Sequence, residues 1–150
     1  MLRLSKKADY ALMAVKHLAV KALPSVSARE IAEQYDIPVE LMAKVLQRLV
    51  RGGLLISTQG TRGGYTLGRP PAAMSVADVI QAIDGPFTVT ACSSENSDCE
   101  QYSKCNIRGP LWQLKERIVA TLGTVTIAEM AADNELPLPA PVAVMRRAGV

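Results

Sequence analysis

Apolar residues recur with a helical period through the first third of the chain. Leu4, Ala8, Ala11, Leu12, Val15, Leu18, Ala19 and Ala22 share one face of a helix predicted over 4–22, which Pro24 ends. Ser27-Ala28-Arg29-Glu30 has the form of a capping box, in which a hydroxyl caps a free N–H and a carboxylate reaches back. It opens a second helix over 28–35, with Ile31 and Ala32 inward. Asp36-Ile37 makes a tight turn, and Pro38 suits the first turn of a third helix, where its missing N–H costs nothing. That helix runs over 38–51 on a stripe of Leu41, Met42, Val45, Leu46 and Leu49, and Gly52-Gly53 stops it. The pattern then becomes β: Leu54–Thr58 is a strand, 59–64 a Gly-rich turn and Tyr65–Leu67 the return strand.

Ser75-Val76-Ala77-Asp78 opens a helix over 76–83, which Gly85-Pro86 closes. Residues 87–105 show little periodicity. Leu111, Leu114, Ile118 and Leu122 mark a further amphipathic helix, widened by Trp112 and Val119, with Pro110 either starting or kinking it. Thr126–Ala132 adds a short helical turn. After Asp133 the three prolines at 137, 139 and 141 predict a tail without fixed structure. The order helix–helix–turn–helix–hairpin predicts a mainly α fold with a small β-hairpin wing: a winged helix-turn-helix followed by a long C-terminal helix.

A chain of 150 residues, 49% hydrophobic and 21% charged, has the make-up of one ordinary globular domain. No apolar run approaches the roughly 20 residues needed to span a bilayer. Asp9 and His17 interrupt the apolar stretch that follows Arg3, Lys6 and Lys7, so no signal peptide is read and a cytoplasmic protein is expected. The net charge of +3 is unevenly spread. Residues 1–70 hold 11 Lys and Arg against 5 Asp and Glu, and residues 71–150 hold 6 against 9. A basic front half suits a phosphate backbone. The chain has one histidine and neither a nucleophile–base pair nor a P-loop, so no enzyme is expected.

In a helix-turn-helix the second helix of the pair enters the major groove. On the predicted third helix Glu40, Lys44, Gln47, Arg48 and Arg51 lie roughly on one polar face. Lys and Arg contact phosphates, and Gln and Arg can read purine edges bidentately. Thr61 and Arg62 stand at the tip of the wing, where an Arg can enter a narrow minor groove. The expected ligand is double-stranded DNA.

Cys92, Cys99 and Cys105 are the only cysteines, spaced Cys-x6-Cys-x5-Cys in the aperiodic segment. In a reducing compartment such thiols are more often ligands or reactive groups than a disulfide framework. Iron–sulfur clusters take thiolates from irregular loops. Structural zinc prefers Cys-x2–4-Cys pairs, which these gaps do not match. The spacing by itself leaves open a cluster, another metal or redox-active thiols.

Met1–Leu12, Arg62-Gly-Gly-Tyr-Thr-Leu67 and Ile80-Gln-Ala-Ile-Asp-Gly85, followed by three cysteines and an apolar helix, resemble the IscR/NsrR-type bacterial regulators in the same order. The likeness covers about residues 2–132. Asp84–Cys92 and Cys105-Asn-Ile-Arg108 are most similar to regulators of the SUF iron–sulfur assembly system. The resemblance implies a homodimer paired through the C-terminal helix by Leu111, Leu114, Ile118 and Leu122, on a pseudo-palindromic operator. It implies a cluster, 2Fe–2S or 4Fe–4S, held by the three cysteines, and repression of the protein's own operon and of assembly genes.

The organisation expected is a DNA-binding domain over 1–85, a cluster loop over 86–109, the dimerisation helix and C-terminal turn over 110–132, and a flexible tail over 133–150. Some relatives carry a histidine ligand three residues after the third cysteine, where this chain has Arg108, which does not deprotonate. Others, of the nitric-oxide-sensing kind, use an aspartate early in the first helix, which falls on Asp9. Asp9 is therefore the expected fourth ligand. The plainer role for it is to favour the positive N-terminal end of the first helix or to pair with Lys6, and Glu95, Asp98 and Glu100 are further options as ligands. His17 is expected to be an ordinary exposed or packed histidine. Two other functional classes remain: a thiol or nitric-oxide redox switch without a stable cluster, and an iron–sulfur carrier that does not bind DNA.

Overall fold

The computed structural model describes residues 3–21, 23–90, 92 and 99–132. Its elements are α1 (Lys6–Lys21), α2 (Ala28–Gln34), α3 (Val39–Arg51), β1 (Leu55–Thr58), β2 (Gly64–Leu67), α4 (Val76–Asp84), α5 (Arg108–Thr124) and α6 (Ile127–Ala132). Single 3-10 turns cover Pro71–Ala73 and Tyr102–Lys104. The expected tail, with Arg146 and Arg147, lies outside the described residues, as do Glu95 and Asp98.

Helix α1 is the central support. Ser5 caps it, its hydroxyl accepting from the Ala8 N–H at 3.1 Å. The fully buried Ala8, Ala11 and Ala14 keep its inner face low, so α3, α4 and α6 all pack on it. The helix spans a turn less than its apolar stripe, because Leu4 packs on the core from the segment ahead of the cap.

The capping box at Ser27 is present in full: Glu30 N–H donates to Ser27 Oγ at 3.2 Å, and Ser27 N–H to Glu30 Oε2 at 2.7 Å. The Ser27 backbone N–H, and after it the Ser27 hydroxyl, hydrogen-bond the Glu30 carboxyl and hold it below its ordinary pKa. Asp36 takes a positive φ of 52° in the turn between α2 and α3. Pro38 is the N-cap of α3 rather than a residue of its first turn. Met42, Val45, Leu46 and Leu49 bury the inner face of α3, and each large aliphatic side chain so buried contributes about 1.5–3 kcal/mol.

The wing is a two-stranded antiparallel sheet with Leu55 opposite Leu67 and Thr58 opposite Gly64. Its outer strand is clamped to the loop before α2. Val26 and Tyr65 exchange backbone hydrogen bonds of 3.1 and 2.8 Å, and Ser25 Oγ donates to the Arg62 carbonyl at 2.9 Å. A Cβ on Gly64 would lie 2.7 Å from the Val26 carbonyl, so only glycine permits this approach.

A second capping box, Ser75 with Asp78, opens α4, and Gly85 (φ 78°) closes it. Pro110 is the third residue of α5, in its first turn, where its missing N–H leaves no helical bond unmade. The short C-terminal turn is a helix with its own capping box, Thr126 with Glu129. It folds back on the core through a bridge of Thr126 to Ser75, and Ile127 is fully buried.

One polar side chain among the described residues is buried, His17. Its Nδ1 lies 2.9 Å from the Tyr35 hydroxyl, and the two rings meet edge to face at 5.5 Å. Burial, aided by the nearby Lys21 charge, lowers the His17 pKa, and burial raises that of Tyr35. Both partners are thereby kept neutral, and His17 is a packed core residue.

Candidate DNA interface and cysteine site

The predicted polar face of α3 is exposed along its length, at Glu40, Lys44, Gln47, Arg48 and Arg51. Beside it lies a cleft of about 370 Å3 lined by Lys7, Lys44, Gln47, Arg48, Arg51 and Tyr65. Among the described residues Lys7, Lys44, Arg51 and Arg62 form no ion pair, so their charges remain available to an anion. Lys7 was not among the sequence candidates. Its basic neighbourhood is visible in the sequence, but its place beside α3 depends on how α1 crosses the fold.

Two of the candidate readers have partners within the protein. Gln47 Nε2 donates to the Tyr65 hydroxyl at 2.8 Å, joining α3 to the wing. Arg48 Nη1 donates to the Ile83 carbonyl at 2.7 Å, joining α3 to the end of α4. Thr61 and Arg62 are exposed at the wing tip. A cationic helix face, a cleft and a projecting wing form one basic surface suited to a phosphate backbone.

Helix α5 has no buried residue over its 17 positions, about 25 Å of helix. Leu111, Ile118 and Leu122 are half-buried, Leu114 is 43% exposed and Trp112 49%. Its main contact is with α4. A helix with this much uncovered apolar surface is suited to pairing.

All three cysteines are free and partly buried. Cys92 Sγ lies 3.2 Å from Thr90 Oγ1, and the Cys99 thiol donates to Gln101 Oε1 at 3.8 Å. Cys105 follows the 3-10 turn Tyr102–Lys104 as its C-cap. A cavity of about 370 Å3 beside Cys92 is lined by Thr90, Tyr102, Arg108, Trp112 and Lys115. Arg108 stacks over the Tyr102 ring at 4.1 Å and donates to the Tyr102 carbonyl at 3.1 Å, so it braces this wall.

Asp9 sits in the first turn of α1, 4.0 Å from Lys6 Nζ. Free thiols with an added carboxylate are a donor set suited to iron. Among the described residues, however, no three His, Cys, Asp or Glu side chains converge closely enough to hold a metal ion within one chain. Glu100 is exposed and joins no such group.

Residues 4–133 match the model of the Rrf2 family, described as an iron-dependent transcriptional regulator. The chain belongs to the Rrf2 family. It is 31% identical over 137 residues to the HTH-type transcriptional regulator IscR of Vibrio cholerae, covering 90% of this chain and 78% of that protein. It is also 31% identical to IscR of Xenorhabdus nematophila, covering 90% and 82%.

Among solved structures it resembles CymR, the global cysteine regulator of B. subtilis, with a TM-score of 0.72 at 24% identity over 90% of this chain and all of that one. It resembles T. potens IscR with a TM-score of 0.67 at 27% identity over 89% of each chain. The winged helix-turn-helix is thus a family fold, and this Rrf2 protein is a DNA-binding transcriptional regulator and not an enzyme. No described helix is long and apolar enough to cross a membrane.

Proposed function

We propose that this Rrf2 protein is a cytoplasmic, homodimeric regulator whose operator affinity follows the state of an iron–sulfur cluster, and that it represses iron–sulfur assembly genes of the SUF type. The observation that carries the reading is the set of three free, partly buried thiols in one segment between α4 and α5. Its family's description as iron-dependent supports it.

Cys92, Cys99 and Cys105 would hold the cluster, with Asp9 as fourth ligand, supplied by the partner subunit when α5 pairs. An oxygen ligand is hard and exchangeable, which suits a sensing role. When bound, the group supplies a redox- and oxygen-labile bond between segments that are otherwise separate.

The chain's own residues do the rest. Lys7, Lys44, Arg51 and Arg62 neutralise phosphates, and α3 and the wing enter adjacent grooves. A two-fold dimer places two recognition helices on a pseudo-palindromic operator. Apolar Leu111, Leu114, Ile118 and Leu122 cover one another across the dimer axis.

Anaerobic purification tests the cluster. Coloured wild-type protein with matched iron and acid-labile sulfide, and a weakened or altered cluster in Asp9→Ala, support the assignment. Colourless protein that takes up no sulfide on reconstitution refutes it and leaves the second reading, a thiol switch, which the free, partly exposed thiols favour. A cluster carrier that ignores DNA does not suit a family of transcription regulators.

A further inference from the structure

Three contacts converge on the last turn of α4. The end of α3 closes on Ala82 so tightly that a Cβ on Gly52 would lie 3.0 Å from the Ala82 Cβ. Arg48 Nη1 donates to the Ile83 carbonyl at 2.7 Å, a short, charge-assisted bond. That carbonyl belongs to the four that a helix C-terminus leaves without an internal partner, where a cation also suits the helix dipole. From the other side Ser5 Oγ donates to Asp84 Oδ1 at 2.6 Å, and Ser5 N–H approaches Asp84 Oδ2 at 3.4 Å.

Ser5 is also the cap of α1, its carbonyl accepting from the Asp9 N–H at 3.1 Å. The segment that bears the cysteines departs from this same turn at Gly85. One joint therefore holds the recognition helix, the turn that carries Asp9 and the root of the cysteine segment.

We propose that Arg48 is a positioning residue rather than a reader of DNA: it ties the recognition helix to the end of α4, and through that joint the state of the cysteine segment reaches DNA binding. The inference rests on the proposed function for what the cysteines sense, but not for the joint itself. The expectation that Arg48 contacts bases or phosphates is replaced by this role. A guanidinium held on a carbonyl through Nη1 fixes the angle of α3, and Lys44 and Arg51 beside it, without an ion pair among the described residues, meet DNA. A displacement of residues 83–84 would then turn α3 and, through the Gln47–Tyr65 bond, carry the wing with it.

The test is a comparison of DNA affinities by fluorescence anisotropy, on a duplex selected from a random pool by the wild-type protein. Each protein is titrated metal-free with free thiols and again after loading with iron and sulfide. The wild type is expected to differ between the two states by a factor within the roughly 5- to 150-fold typical of allosteric coupling. Arg48→Met, which keeps the length of the arm but no donor, is expected to bring that factor to within about twofold of unity, with the salt slope of binding unchanged. Arg48→Lys, which keeps a charged donor, is expected to restore most of it.

Asp84→Asn loosens the joint from the α1 side and should lower the same factor, so the outcome does not depend on one variant folding. An Arg48→Met protein that binds both states more weakly by the same factor, with a salt slope shallower by about one, would be a lost phosphate contact and overturns the inference. If iron and sulfide leave the wild type unchanged, the cluster reading fails. The same comparison with thiols alkylated by N-ethylmaleimide then decides the joint: a wild-type response lost in Arg48→Met supports it, and a response retained there, or none in the wild type, overturns it.

Discussion

Replacing Ile127 by alanine should cost this regulator a large part of its stability, although the residue sits near the C-terminal end of the described chain. Ile127 is fully buried, its N–H donates to the Met74 carbonyl at 2.8 Å, and Met74 is itself fully buried. It is the residue by which α6 is anchored to the core next to α1. The change deletes three carbons, about 2.4 kcal/mol at roughly 0.8 kcal/mol each, and leaves a cavity that the pinned backbone fills only in part.

A total near 3 kcal/mol is expected, inside the 2–5 kcal/mol range usual for such truncations. With a urea m-value of roughly 2 kcal/mol/M, the unfolding midpoint should fall by about 1.5 M. Wild type and variant are compared at equal protein concentration, because any self-association would shift apparent stability. Val125→Ala, two residues earlier and 38% exposed, is the control: it loses two partly covered carbons, about 1 kcal/mol at most, and should move the midpoint by about 0.5 M or less, a third of the shift expected for Ile127→Ala. A shift below about 0.5 M for Ile127→Ala would show that α6 does not belong to the core and would refute the packing described.

Gly64→Ala should destabilise by about 1–3 kcal/mol, because the new methyl meets the Val26 carbonyl; an unchanged denaturation midpoint contradicts the clamp on the wing. Burial lowers the His17 pKa in the folded protein below its ordinary 6.5. The unfolded chain then binds the proton more readily, so stability is intact above about pH 6.5 and is lost as pH falls through the folded value. Urea midpoints at pH 7.5 and 5.5 should therefore drop further for wild type than for His17→Gln, and parallel profiles would contradict the buried neutral histidine. The double variant Lys44→Gln/Arg62→Gln should lower the salt slope of DNA binding by about two per protomer, read from anisotropy between about 50 and 200 mM salt; an unchanged slope removes both residues from the interface.

Much of the fold was legible because its signals are local. Ser27 with Glu30 and Ser75 with Asp78 are complete within four residues each, so both helix starts could be placed from the sequence. The stripe of α3 and the glycine turn of the wing are equally self-contained. The Thr126–Glu129 box was just as local, but nothing nearby signals that Ile127 turns back to the core.

The candidate site was less legible, because its residues depend on crossings. Arg48 shares a helical period with Lys44 and Arg51, and only the packing of α4 against α3 gives it a carbonyl to hold. Lys7 reaches the cleft only because α1 crosses beside α3. The cysteines are visible as a spacing, but a spacing in an aperiodic segment carries no geometry.

Whether a cluster governs DNA binding is decided by the operator affinity of wild-type protein in two forms, freshly loaded with iron and sulfide and after removal of both by an anaerobic chelator. The two dissociation constants should differ by about fivefold or more, and reloading should restore the first value. Equal affinities, with iron and sulfide verified in the loaded form, would contradict control by a cluster.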